Sequence, residues 1–282
     1  MLVQEAMIAR LRDLCLQDER VVAALLYGSF TRGEGDAFSD IEAALFFVDE
    51  ALRTLDQQAW VQQIAPVALY FDDDFGHHTA IFTNLIRGEF HFEPASAMAT
   101  VASWQGNAWF PNLDAAVLVD RTGTLTQHLQ ALTGPPPSRD TPACAQRLSA
   151  NFLNGVLFGT NVLTRGEVAR ALEVLAHVHR NLLWMARLLE HATEHWPTPA
   201  QVVEQDLSVA AYARYVACTA TAQKDALGMA YRASWAWGKE MMQSLAQRHN
   251  LSIPDELLAQ MDRRLLEQQY GGHEQHGNRR VV

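Results

Sequence analysis

Gly28-Ser29-Phe30-Thr31-Arg32-Gly33-Glu34-Gly35-Asp36-Ala37-Phe38-Ser39-Asp40-Ile41-Glu42 decides the fold, because it joins a glycine turn to two carboxylates spaced for one face of a strand. The turn follows Val21-Val22-Ala23-Ala24-Leu25-Leu26-Tyr27, an apolar run with the length and β-branched start of a buried strand. Gly28 can take backbone angles closed to other residues, so the chain can turn sharply and let a phosphate approach the main chain. The residues after it can open a short helix, whose N-terminus favours anions. A second strand is expected over 40–48, in which alternation sends Asp40 and Glu42 to one face and Ile41 to the other.

Like charges held that close cost stability unless a cation sits between them. Mg²⁺ suits the position, since it takes hard oxygen ligands and is commonly shared between carboxylates and substrate phosphates. A third carboxylate would complete a two-metal site. Ile86-Arg87-Gly88-Glu89-Phe90-His91-Phe92-Glu93 offers one: as a strand it puts Phe90 and Phe92 on one face and Glu89, His91 and Glu93 on the other. Glu89 can then serve either as a metal ligand or as the acceptor of a proton from an attacking hydroxyl. His91 is expected to pack or hydrogen-bond beside the site, because Mg²⁺ avoids imidazole. A Walker A loop is excluded, since Glu34 stands where that motif needs Lys, and no G-x-G-x-x-G pattern occurs in the stretch.

Tyr27-Gly28-Ser29, a spacer, and Asp40-Ile41-Glu42 resemble the signature of the nucleotidyltransferase superfamily related to DNA polymerase β. The longer strings Gly33-Glu34-Gly35-Asp36, Asn84-Leu85-Ile86-Arg87-Gly88-Glu89-Phe90-His91-Phe92 and Asn161-Val162-Leu163-Thr164-Arg165-Gly166-Glu167-Val168-Ala169-Arg170-Ala171-Leu172-Glu173 resemble the lincosamide nucleotidyltransferases, so the likeness spans most of the chain. This resemblance implies transfer of a nucleoside monophosphate from a Mg²⁺-bound triphosphate, ATP or another NTP with two Mg²⁺ ions, to a hydroxyl of the antibiotic's sugar. It implies that Ser29, beside Gly28, holds the triphosphate, that Asp40 and Glu42 bind metal, and that Glu89 is the catalytic base. Arg32 is a phosphate contact by position. Arg165, at a break between two helices, and Arg170 are further candidate nucleotide contacts; an i,i+3 pair of Arg170 with Glu173 explains the latter equally well.

Composition is compatible with this reading. The 282 residues suit two modest domains. The net charge of −10 argues against a nucleic-acid surface and for small-molecule substrates, the antibiotic and the triphosphate. No apolar run approaches the span of a membrane, and Met1-Leu2-Val3-Gln4-Glu5 lacks the basic start of a signal peptide. The expectation is a cytoplasmic enzyme, a homodimer being one allowed state. Cys15, Cys144 and Cys218 are odd in number and widely spaced, which suggests neither a disulfide frame nor a zinc site. His77-His78 and His273-Glu274-Gln275-His276 lack the spacing of a zinc motif and read as surface, and Asp72-Asp73-Asp74 reads as a solvated turn.

The expected architecture is α+β: a catalytic domain over 1–134 with a mixed sheet, a break at the prolines Pro135-Pro136-Pro137, a helical bundle over 141–270, and a disordered tail over 271–282. Strands are expected at 21–28, 40–48, 67–71, 79–83, 86–93 and 115–120, with helices at 3–16 and 50–63. Beyond the break, helices are expected at 141–163, 206–222, 225–247 and 254–268. Between them, Val168, Leu172, Leu175, Leu182, Ala186 and Leu189 form a helical stripe. Trp104, Trp109, Tyr231, Trp235 and Trp237 either line an amphiphilic drug pocket or pack in the core. Two other readings stand beside the lincosamide one: the same chemistry on an aminoglycoside or protein acceptor, and a catalytically silent nucleotide-binding module.

Overall fold

A computed structural model describes residues 1–267 apart from Asn107 and Pro135. The expected tail and its histidines lie outside the described residues. The chain divides into two compact units, one ending at Pro137 and the other starting at Ser138.

The first unit is built on a mixed sheet of six strands in the order β3-β4-β5-β2-β1-β6, with β1 Val21–Tyr27, β2 Ile41–Phe47, β3 Val67–Asp72, β4 His78–Phe82, β5 Arg87–Pro94 and β6 Val117–Asp120. Only β2 and β5 run parallel; the other neighbours are antiparallel. Period-two alternation divides each central strand between two cores. Ile41, Ala43, Leu45 and Phe47 of β2 and Phe90 and Phe92 of β5 face helix α1 (Val3–Gln17), with its Met7, Leu11 and Leu14, and helix α4 (Gln57–Val61), with its Trp60. Ala44 and Phe46 face the other way, toward Met98 and Val101 of a 3₁₀ segment (Ala95–Trp104) and toward Leu125 and Leu129 of α6 (Thr124–Leu129). Glu42 and Glu89 share this second face by alternation. The sheet is therefore a middle layer whose second face changes from apolar to acidic at the start of β2 and β5.

Local chemistry explains where the boundaries depart from the sequence pattern. The expected helix over 50–63 is two single-turn pieces, α3 (Asp49–Leu52) and α4, because the Asp56 side chain accepts from the Ala59 N–H and starts a new helix. Asn112 accepts from the Asp114 N–H, so the expected strand over 115–120 begins as a helical turn, α5 (Leu113–Ala116). A bulge near Val22 in β1 keeps both its flanks buried, Val21 in one core and Ala23 in the other.

The second unit is helical among its described residues. Its long helices are α7 (Pro142–Thr164), α8 (Val168–Leu189) and α11 (Lys224–His249), joined by α9 (Val203–Asp206), α10 (Val209–Ala217) and α12 (Asp255–Glu267). The expected helix over 206–222 is shorter at both ends: extended Leu207 precedes it, Ser208 caps it by accepting from the Ala211 N–H, and it ends at Ala217. The stripe on α8 does face the core, with Leu175, Leu182 and Ala186 buried and Val168, Leu172 and Leu189 packed at its edge. Gly238 on α11 lets the Phe152 ring of α7 seat against the backbone, since a Cβ there would stand 2.1 Å from the ring. Tyr231, Trp235 and Trp237 are buried in this core, and the Tyr231 hydroxyl donates to the Ala171 carbonyl at 2.7 Å.

Sequence patterning did not reveal Arg187, which is fully buried on α8. Its guanidinium donates to the carbonyls of Pro199, Ala192 and Gln201 and to the Asp206 carboxylate, the last at 2.6 Å. His195 shares that same Asp206 oxygen at 2.7 Å. Pairing of this kind, with four hydrogen bonds spread over all three nitrogens, is what makes a buried guanidinium tolerable.

Candidate active site

Three strands bring the acidic face together through their register. Tyr27 at the end of β1 pairs with Glu42 of β2, and Glu42 pairs with Glu89 of β5, so the three side chains form one row across the sheet. Because β2 and β5 are parallel, both enter the row at their N-terminal ends, where the preceding loops also arrive. Asp40 lies immediately before β2, beside the start of this row. Gly28 follows Tyr27 with φ of 78° and ψ of −154°, a region open in practice to glycine alone, and a Cβ there would stand 1.7 Å from Glu42 Oε2. The glycine thus serves both the turn and the space for Glu42. Ser29 starts a single helical turn, α2 (Ser29–Arg32), rather than a longer helix.

Arg87 is the cation of the row. Its Nη1 donates to Asp40 Oδ2 at 2.7 Å and its Nη2 to Glu89 Oε2 at 2.8 Å, so one guanidinium bridges two of the three carboxylates. Glu89 also accepts from the Tyr27 hydroxyl at 3.1 Å, and its Oε1 lies 3.1 Å from His91 Nε2. Burial pushes the Glu89 carboxyl up, but the hydrogen bonds from Arg87, His91 and Tyr27 outweigh it and hold the group below the usual carboxylate range. Among the described residues Glu42 has no such bond set: burial first, then the charges of Glu89 and Asp40, push its carboxyl up. Burial and the charges of Glu89 and Glu42 also raise the Tyr27 hydroxyl, which stays a neutral donor.

These residues fit a hard divalent cation by chemistry. The donors of Asp40, Glu42 and Glu89 are all carboxylate oxygens, and the upward shift of Glu42, caused first by burial and then by repulsion from Glu89 and Asp40, is one that a cation would relieve. They are not drawn into one cluster, however. Among the described residues, the set whose ligand atoms all lie within 4.8 Å of one another is His77, Glu89 and His91. Arg87 occupies the space between Asp40 and Glu89.

The other candidates are distributed as follows. Arg32 is turned toward Glu34, with 3.0 Å between its Nε and Glu34 Oε2, and its charge also lowers Glu42. Arg165 and Arg170 belong to the second unit. Arg165 is largely exposed, 3.9 Å from Glu167. Arg170 pairs with Glu167 at 2.9 Å, not with Glu173, and lies over the Phe158 ring at 5.4 Å. Glu167 sits at the start of α8, one turn N-terminal to Arg170.

Three participants were not assigned from sequence: Arg87, Tyr27 and His77. Arg87 had a readable signal, two residues before Glu89 and on the same strand face. His77 reads as surface in sequence but is placed against the site, with Nδ1 3.5 Å from Glu89 Oε1 and its ring centroid 4.3 Å from that of His91. Its position follows from the β4–β5 pairing, in which His78 meets Phe90; one residue further along, His77 faces His91. Asp73 is in the turn, as expected, yet it also reaches His77 and Arg87, at 3.6 and 4.0 Å.

A pocket of about 460 Å³ opens on this row, within the size of small-molecule sites. Glu89, His91, His77 and Glu93 line one side, and Tyr27, Phe46 and Trp104 supply most of an aromatic wall. Tyr27 packs edge-on against both Trp104 and His91.

Residues 141–264 match the model of the lincosamide nucleotidyltransferase-like, C-terminal domain family. No curated protein matches the chain. Among solved structures, it is similar to an aminoglycoside 6-adenyltransferase from Bacillus subtilis, at 14% identity and a TM-score of 0.43 over 96% of this chain and 100% of that one. It is also similar to a nucleotidyltransferase-like protein from Exiguobacterium sibiricum 255-15, at 12% identity and a TM-score of 0.37 over 86% of this chain and 74% of that one. Likenesses this distant carry nothing about substrate or mechanism. The matched residues 141–264 fall within the helical unit, which is similar to that C-terminal domain family.

Proposed function

We propose that the protein is a nucleotidyltransferase that moves a nucleoside monophosphate from a Mg²⁺-bound triphosphate, ATP first among the candidates, to a hydroxyl of a lincosamide, inactivating the drug. One observation carries the reading: the Tyr27–Glu42–Glu89 row, with Asp40 at its start, opens onto an aromatic pocket. The acceptor hydroxyl attacks the α-phosphorus, the bond from that phosphorus to the β-phosphate bridging oxygen breaks, and pyrophosphate leaves. Glu89 takes the hydroxyl proton, for which its hydrogen bonds keep it ionised at neutral pH. Mg²⁺, when bound to Asp40, Glu42 and Glu89, would supply charge stabilisation at the attacking and leaving oxygens. Ser29 and the Gly28 backbone receive the triphosphate, with Arg32 as its cation. Arg165 and Arg170 are proposed as further nucleotide contacts.

The choice of acceptor follows from the pocket wall. An aminoglycoside is a polycation, and among the described residues the acids that line this pocket are Glu89 and Glu93. A lincosamide, with one amine and apolar parts, matches Tyr27, Phe46 and Trp104. The family that the second unit is similar to points the same way.

Incubation with Mg²⁺, each triphosphate, and a panel of lincosamides and aminoglycosides tests the proposal by the mass of the products. A gain of one nucleoside monophosphate on lincosamides alone is expected. Modified aminoglycosides would move the acceptor class, and bound nucleotide with no modified acceptor would favour a silent module.

A further inference from the structure

We propose that His77, Glu89 and His91 form a binding site for a borderline divalent ion such as Zn²⁺, of a different class from the Mg²⁺ expected at the carboxylate row. The three ligand atoms lie within 4.8 Å of one another. Two of the separations, 3.1 Å from Glu89 Oε1 to His91 Nε2 and 3.5 Å to His77 Nδ1, already bracket the edge of a zinc tetrahedron. That edge is about 3.3 Å for bonds of about 2.0 to 2.1 Å. Little movement is therefore needed for a metal to replace the shared proton.

The donor set selects the metal. Two imidazoles and one carboxylate suit zinc and its neighbours, whereas Mg²⁺ prefers an all-oxygen shell. A site of three protein ligands leaves a fourth position, and the same three residues line the 460 Å³ pocket, so that position can be taken by water or by a donor of a pocket occupant. The supporting shell is present as well. Tyr27 donates to Glu89 Oε1 at 3.1 Å, and Asp73 accepts the His77 backbone N–H at 2.9 Å, fixing the loop that carries the ring. A hydrogen-bonded His–Glu–His relay without metal affinity is the competing account.

The test uses the full chain carrying His273→Ala and His276→Ala, which removes the tail imidazoles. Co²⁺ titration followed by visible absorption, and Zn²⁺ titration against a chelating chromophore, read coordination directly. One equivalent is expected to bind with a tetrahedral or five-coordinate Co²⁺ spectrum. His77→Ala and His91→Ala should each weaken binding by at least about tenfold. His78→Ala, which alters a ring stacked on Tyr70 outside the set, should leave it unchanged. Melting curves in chelator establish that each variant folds. Absence of Co²⁺ or Zn²⁺ binding, or equal binding by His77→Ala and His91→Ala, would overturn the site and leave the relay.

Discussion

Glu89 is the residue on which the proposed chemistry turns, since it accepts from Arg87, Tyr27 and His91 while facing the pocket. Glu89→Gln should lower turnover by roughly 10² to 10⁴, the usual share of a general base. Near-normal turnover would remove it from the mechanism. Glu42 makes the opposite prediction about stability. Its folded carboxyl is raised above the ordinary Glu value by burial and by Glu89 and Asp40, so the folded state holds that proton more tightly than the unfolded chain does. Stability is thus lost as pH rises from the ordinary Glu range, about 4.3, through the raised value. In chelator at neutral pH, Glu42→Gln should melt higher than the natural protein, and the gap should close in acid below that range. A variant that melts lower at neutral pH would mean that Glu42 is not repelled. At this scale the sequence was most legible where residues lie close in the chain: Asp40 with Glu42, or Glu89 with His91. His77 escaped because its contact depends on which strands pair, and spacing along one strand carries no such information.

Turns and registers set these positions. Gly28→Ala would place a methyl group 1.7 Å from Glu42 Oε2 in a backbone region closed to alanine. The expected cost is about 1 to 3 kcal/mol in chemical denaturation, accompanied by a loss of activity as Glu42 is displaced. In the helical unit the corresponding element is the connection from α8 to α9, tied down by Arg187. Asp206→Ala leaves that buried guanidinium without its carboxylate and should cost about 3 kcal/mol near neutral pH. Burial raises the Asp206 carboxyl, but the bonds from Arg187 and His195 prevail and lower it. Its contribution is therefore present above the ordinary Asp range, near pH 3.9, and is lost as pH falls through the lowered value. Denaturation midpoints of variant and natural protein should converge in acid. Strand positions were readable from alternation and long helices from the α8 stripe. Short helices capped by Asp56, Asn112 and Ser208 were not, because a single side-chain hydrogen bond decides them against the apolar pattern.

Each unit contains its own core. The clusters around α1, the sheet and the 3₁₀ segment use residues before Pro137, and the cluster joining α7, α8 and α11 uses residues after Ser138. A fragment beginning at Ser138 should consequently fold alone, with a helical circular-dichroism spectrum and one cooperative melt; a broad, non-cooperative loss of signal would show that its core needs the first unit. The mixed α+β sheet and the helical second half were legible because the strand period gives way to the helical period across the prolines. The strand order was not, since the parallel β2–β5 pair joins strands separated by a long stretch of chain.

The Arg87 fork between Asp40 and Glu89 has a practical corollary. A site of bare acids depends on its ion for integrity, whereas this one carries a tethered substitute two residues before Glu89 on the same strand. Removing divalent ions should leave the fold intact, and restoring them should be an exchange against a resident guanidinium. Ion loading would then be weak and reversible, with the nucleotide's own phosphates helping to tip the exchange.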